Sequence, residues 1–339
     1  MEEYEEIKNL KSWISEDYFD NKSVIITGGC GFIGGWLCST ILKMGGKITC
    51  VDNLSTGLQK NLDYFKKFKN FNFINRDVQK ITFADLPKKA DFVFHCASRA
   101  SPEDYHVHQI DTLESNSIGT KILLEYSLKN DSRFIFTSTS EVYGNPSVIP
   151  TPESYYGSVN TMGRRSCYDE GKRYSESLIH AYSETYDLDV KMVRIFNTFG
   201  PGLRPDGGYG RALSRFIFQC LENKPIKIFG DGTQTRSFNY ITDTISGIIA
   251  VLATKSFKGQ PVNVGNSKEI TILYLAEIIK KITQSKSKIT FSPKDVDDPI
   301  RRCPDTKKLE GIGWRPKILL EDGIIKTISW IKKNYLQEF

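Results

Sequence analysis

The chain has 339 residues, enough for about two domains and a sizeable buried core. Hydrophobic residues make up 39% and charged ones 25%, which excludes a disordered chain. The 46 basic and 40 acidic side chains are spread along the sequence, so no nucleic-acid partner is expected.

No apolar run approaches the ~20 residues of a membrane span, so no membrane partner is expected either. The first 22 residues lack the basic start and apolar centre of a signal peptide. Seven scattered cysteines without a C-x-x-C pair do not read as a disulfide framework. A cytoplasmic chain is expected. His106 and His108 face different ways on a helix and read as solvated side chains, so no metal site is expected.

In chain order, the strand candidates of the first half are Ser23–Thr27, Lys47–Val51, Phe71–Ile74, Asp91–His95, Arg133–Ser138 and Val190–Phe196. Helical patterns over 32–44, 57–69, 110–129 and 166–186 separate them. Apolar strands alternating with helices predict a parallel sheet covered on both faces. After Phe199 the texture changes. The Gly- and Pro-rich loop Pro201–Gly210 leads into a helix over 211–222, a strand Ile226–Phe229, a Pro- and Asp-rich stretch Ser292–Pro304 and a tail helix over 321–336.

The fold class expected is α/β: a Rossmann-type doubly wound parallel sheet with a smaller α+β C-terminal substrate domain. Residues 1–22 form an N-terminal extension, a helix packed on the sheet or a tail. Residues 23–198 form the dinucleotide-binding domain, with 239–265 returning to it. Residues 199–238 and 266–339 form the second domain.

Gly28, Gly31 and Gly34, with Phe32 and Ile33 between the last two, follow the first strand and open a helix. Glycines there allow a tight turn, close approach of backbone to a pyrophosphate, and close packing of helix on strand. The strand–turn–helix context is what such a motif requires. Asp52 closes the second strand, where a carboxylate accepts from adenosine ribose hydroxyls and repels a 2′-phosphate. Asn53 follows rather than an arginine, so NAD is the expected cofactor. An aspartate that merely opens the DNLSTG turn would read the same way. Asp77-Val78 and Ala97-Ser98 end the third and fourth strands, the edge where such sheets bind ligands.

Tyr168 and Lys172 are one helical turn apart and share a face. A neighbouring ammonium favours the phenolate; bringing a phenol from ~10 to ~7 takes ~4 kcal/mol of differential stabilisation. The same spacing occurs at Tyr4/Lys8 and Tyr18/Lys22, both before the first strand. What distinguishes Tyr168 is its place after Thr139-Ser140, which end the fifth strand at the ligand edge. Hydroxyls there can hold a sugar while the tyrosine moves its proton. A surface tyrosine with a chance neighbour is the plain alternative.

Gly28–Gly34, Asp52, the Ser140/Tyr168/Lys172 set and Arg194–Pro201 (RIFNTFGP) together resemble the extended short-chain dehydrogenase/reductase family, the NAD-dependent epimerases and dehydratases of nucleotide sugars. The likeness covers roughly residues 22–335. The strings TSEVYG (139–144), RSCYDEGKR (165–173) and RRCPD (301–305) are most similar to its branch of UDP-glucuronate decarboxylases.

The resemblance implies oxidation at C4 with Tyr168 as base, loss of CO2 from the resulting β-keto acid, and reduction back at C4. Lys172, Thr139 and Ser140 would stabilise the oxyanion, and Glu141 and Arg302 would orient ring and water around C5. The dehydratases of the family carry Asp-Glu where Ser140-Glu141 stands, and the simple epimerases lack the glutamate. Asn197, Arg211, Arg236, Arg302 and, more weakly, Tyr240 would hold a nucleotide sugar, most simply a UDP-sugar. The helices 110–129 and 166–186 would form a homodimer interface.

Two positions depart from the decarboxylase pattern, Arg99 standing for proline and Glu114 for lysine. The expectation is that Arg99 takes over the contact to the sugar acid. If Glu114 faces the sugar uncompensated, the substrate is a neutral nucleotide sugar that is oxidised, epimerised or dehydrated. A catalytically idle dinucleotide-binding protein is the alternative from another class, against which the intact Tyr168/Lys172 set speaks.

Overall fold

The computed structural model describes residues 10–206, 211–293 and 299–336. The loop Pro201–Gly210, the stretch Ser292–Pro304, the N-terminal extension and the tail helix's flank each fall partly outside these residues, and the Tyr4/Lys8 pair falls wholly outside them.

The first half runs β1 (Ser23–Thr27), α1 (Phe32–Lys43), β2 (Lys47–Val51), α2 (Gln59–Phe65), β3 (Phe71–Ile74), β4 (Phe92–His95), α3 (Pro102–Tyr105), α4 (Gln109–Asn116), α5 (Ile118–Asn130), β5 (Arg133–Thr139), α6 (Ser166–Tyr186) and β6 (Val190–Ile195). The second half runs β7 (Thr198–Phe199), α7 (Ala212–Leu221), β8 (Ile226–Phe229), β9 (Thr235–Ser237), β10 (Asn239–Tyr240), α8 (Ile241–Ala253), β11 (Pro261–Val264), β12 (Glu269–Thr271), α9 (Ile272–Thr283), β13 (Ile289–Ser292), β14 (Arg301–Arg302), α10 (Lys307–Glu310) and α11 (Leu320–Tyr335).

Seven strands form one parallel sheet in the order β3-β2-β1-β4-β5-β6-β11. Each strand is apolar on both faces because helices cover both sides. The large core on one face includes Val24, Ile26, Phe94 and Ile135, and that on the other Ile25, Val93, Phe134 and Phe136. The strand order reverses between β1 and β4, the point at which such sheets place a ligand crevice at the strands' carboxyl ends. The second half of the chain adds three small sheets, β10-β7, β12-β9-β14 and β13-β8.

The helix expected over 110–129 is two helices, broken at Ser117 (φ −105°, ψ −72°). At the break Asn116 is fully buried, and its amide donates to Ser98 Oγ at 2.9 Å. A tertiary contact thus overrides a continuous helical pattern. The helix expected over 57–69 is shorter, Gln59–Phe65. Within the N-terminal extension, Phe19 is fully buried against Phe92 with ring centroids 5.4 Å apart. Its described part, residues 10–22, carries a short helical turn at Leu10–Ser12 that lies against α8. Among the described residues no helix is long and apolar enough to cross a membrane.

Candidate active site

The end of β1 is tied to the end of β4 by one hydroxyl. Thr27 Oγ1 lies 2.8 Å from His95 Nδ1 and accepts from the amides of Cys96 and Ala97 at 3.2 Å each. His95 is fully buried; burial, then the Lys172 charge, pushes it down to about 3, so it stays a neutral hook. Gly28 sits at φ +68°, and a Cβ there would meet Ala97 N at 2.8 Å. A Cβ on Gly34 would lie 2.1 Å from the Gly28 carbonyl oxygen, so only glycine lets the helix start this close to the turn.

Asp52 lies across the same cleft. Its Oδ2 accepts from the Cys30 amide at 2.9 Å and its Oδ1 from the Leu54 amide at 2.8 Å. Burial still raises its pKa, despite those two donors, so further hydroxyl donors at the carboxylate would be stabilising. Asn53 donates to Asp77, which also takes the Lys80 ammonium at 2.8 Å. Gly28, Gly31, Phe32, Ile33, Gly34, Asp52, Asn53, Asp77, Val78, Ala97, Ser98, Tyr168 and Lys172 all line one continuous cleft. A glycine turn that admits a pyrophosphate and a carboxylate placed for a ribose fit NAD.

At the end of β5, Thr139 Oγ1 accepts from the Glu141 amide at 3.2 Å as the chain turns through Ser140–Tyr143. Tyr168 and Lys172 project from α6 toward that strand end, 6% and 2% exposed. The Tyr168 ring stacks on Tyr105, with centroids 5.3 Å apart and planes 3° from parallel. Lys172 Nζ donates to the Thr137 carbonyl at 2.9 Å and lies 6.0 Å from the Tyr168 ring centroid.

The protein groups alone do not lower the phenol as expected. Burial pushes Tyr168 up to about 12, against smaller pulls from Arg211 and the Thr139 hydroxyl. Burial also brings Lys172 down to about 7. The expectation counted the ammonium and omitted the desolvation that acts on both partners.

Glu141 and Arg302 come together from distant parts of the chain. Arg302 Nη1 lies 2.6 Å from Glu141 Oε1, and its Nη2 donates to Oε2 at 2.9 Å. Arg165 donates to the same carboxylate, and its Nε lies 3.9 Å from Asp169 Oδ2. Burial opposes ionisation of Glu141, but the Arg165 and Arg302 guanidiniums outweigh it and hold the carboxyl below its usual range. Asp169 goes the other way: burial first, then the Glu141 charge, keeps it protonated well above its usual range. The sequence reading missed Arg165 and Asp169, although both stand in the quoted string RSCYDEGKR at helical i,i+4 spacing.

Arg211 lines the cleft and donates to the Ala100 carbonyl at 3.1 Å, tying the small lobe to the β4 loop. Arg236 lies beside Arg302 in the register of β9 and β14, but its Nη1 donates to the Thr235 carbonyl at 2.7 Å. Asn197 donates to the Ser237 carbonyl at 3.3 Å. Ser140, Glu141, Asn197, Arg236 and Arg302 stand outside the cleft lining, as do Tyr240 and Glu114. Tyr240 is 1% exposed in the core, against Phe199 and Gly323, because β10 turns it under α11. Glu114 lies on α4 outside the cleft lining, with the Lys80 ammonium among its charged surroundings. Arg99 lines the cleft, with Nη1 gripped by both oxygens of Asp104 at 2.8 and 2.9 Å.

The family model described as the NAD dependent epimerase/dehydratase family matches residues 24–265. A UDP-glucuronic acid decarboxylase 1 from Danio rerio is 40% identical over 316 residues, covering 93% of this chain and 74% of that protein. The crystal structure of a UDP-glucuronic acid 4-epimerase from Bacillus cereus with UDP-glucuronic acid and NAD superposes with a TM-score of 0.83 at 29% identity, over 92% of this chain and 100% of that one. A UDP-glucose 4-epimerase from Thermotoga maritima with UDP-glucose gives a TM-score of 0.83 at 28% identity, over 92% and 99%.

Proposed function

Because the chain belongs to the NAD dependent epimerase/dehydratase family, we propose that it decarboxylates UDP-glucuronate to UDP-xylose through a 4-keto sugar. The observation that carries this reading is the Glu141 carboxylate, gripped by Arg165 and Arg302 immediately after Thr139-Ser140. The relatives named UDP-glucuronic acid decarboxylase support it, at about 40% identity over most of the chain.

The Gly28–Gly34 turn and Asp52 would hold NAD, which would supply the hydride acceptor and donor for C4. Tyr168 takes the C4 hydroxyl proton, and Thr139 and Ser140 hold that oxygen. The Lys172 ammonium stabilises the phenolate. The 4-ketone and the C5 carboxylate form a β-keto acid, which loses CO2 as its electrons pass to the C4 oxygen. Hydroxyl donors at Thr139, Ser140 and protonated Tyr168 stabilise that enolate. Glu141, fixed as an anion, and Arg302 orient the ring and a water at C5, from which the proton returns. Tyr168 then gives its proton back to the C4 oxygen.

Residues 23–198 with 239–265 form the cofactor domain in this reading, and 199–238 with 266–339 hold the nucleotide sugar through Arg211, Arg236 and Arg302, joined by Asn197 of the cofactor domain. The exposed apolar side chains Ile110 and Ile118 on α4 and α5, and Tyr174 on α6, support a homodimer through these helices. The enzyme works in the cytoplasm in this reading. Incubation of the purified protein with UDP-glucuronate and NAD should release CO2 and UDP-xylose in equal amounts. UDP-galacturonate without CO2, or no product, would contradict decarboxylation.

A further inference from the structure

Arg99 leaves the end of β4 on the loop that faces the glycine turn across the sheet's point of strand reversal. The two loops touch there, since a Cβ on Gly28 would lie 2.8 Å from Ala97 N. Arg99 lines the same cleft as the turn, Asp52 and Asp77, and its side chain is only 13% exposed. Both oxygens of the buried Asp104 carboxylate hold a single nitrogen, Nη1. The other guanidinium nitrogens meet no acceptor among the described residues.

Its electrostatic neighbours locate it along the cleft. Asp77, held below its usual range by Lys80 first and Asn53 next, also feels Arg99. Asp77 lines the same cleft as the glycine turn, so the guanidinium charge reaches the dinucleotide half of the cleft. The glycine turn offers the pyrophosphate only backbone N–H groups, whereas a guanidinium anchored at one nitrogen keeps its remaining donors for phosphate oxygens.

We propose that Arg99, braced by Asp104, is a cofactor-retention residue that binds the diphosphate of the dinucleotide. The inference rests on NAD binding and is independent of which sugar reaction follows.

The test measures binding without turnover. The Kd for NAD and the rate of NADH release are compared for wild type, Arg99→Ala, Arg99→Lys and Asp104→Asn, alongside the Kd for UDP. Arg99→Ala should weaken NAD by about tenfold, the loss of one charge-assisted contact, and speed NADH release, with UDP affinity unchanged. Arg99→Lys and Asp104→Asn should fall between, because each keeps a cation but loosens its bracing. Unchanged NAD affinity in Arg99→Ala overturns the proposal, whether or not the KM for UDP-glucuronate rises. If that variant fails to fold, Arg99→Gln, which keeps the stem and a donor for Asp104, is read by the same outcomes. Failure of the decarboxylase reading would appear separately, as wild-type protein that binds NAD and makes no CO2.

Discussion

Arg165 should contribute to stability and to turnover through the same contact. It supplies one of the two guanidiniums on Glu141 and the nearest cation to Asp169, and the Arg165 and Glu141 side chains are 9% and 14% exposed. Replacing it by methionine, which fills a similar space, leaves Glu141 on Arg302 alone. Breaking a buried ion pair costs about 3–5 kcal/mol, and Arg302's two remaining contacts put this case near about 3. At about 2–4 °C per kcal/mol, the melting temperature should drop by about 6–12 °C. Arg165→Met/Asp169→Asn should be less destabilised than the sum of the two single variants, because both single changes remove the same Arg165–Asp169 contact. Thermal melts of the four proteins, with kcat/KM for UDP-glucuronate, make the cycle. A single Arg165→Met variant with wild-type melting temperature and wild-type turnover would refute the argument that Glu141 needs both arginines.

Tyr168→Phe should lower turnover by about 10²–10⁴ while leaving NAD affinity unchanged, read by product formation beside calorimetry. Gly34→Ala places a Cβ 2.1 Å from the Gly28 oxygen, so it should push the turn out of place and weaken NAD by about tenfold or more; unaltered NAD binding would contradict the cradle. Asp169 has its pKa raised in the folded protein, so the unfolded chain gives up that proton first and stability is lost as pH climbs from about 4 toward the raised value. The melting temperature of Asp169→Asn relative to wild type should therefore rise across that interval; a difference that is flat or falls with pH would show that Asp169 is ionised.

The parallel sheet was legible because its strands are short, β-branched or aromatic, and separated by helical patterns: β1, β2 and β3 begin and end where the sequence places them. The glycine turn and the place of Asp52 in the cleft were legible because both follow the ends of strands that the sequence displays. Other features depend on packing that the sequence does not display. Every residue of α8 except Ala253 is buried, so it has no polar stripe to mark it as a helix, and the sequence reading saw only a return to the sheet. The Asn116–Ser98 contact that breaks α4 from α5 joins residues on separate elements. Arg165 meets Glu141 only because α6 runs back past the end of β5. The ionisation states of Tyr168 and Lys172 depend on how deeply both are buried, which spacing alone does not reveal.

The central claim is that this site oxidises C4, loses the C5 carboxyl group and returns the same hydride. Turnover of UDP-glucuronate in D2O, followed by proton and carbon NMR, tests it most directly. The account predicts UDP-xylose carrying one deuterium at C5 and protium at C4, with CO2 released in equal amount. Deuterium at C4, or a labelled hexuronate with its carboxyl group intact, would contradict it.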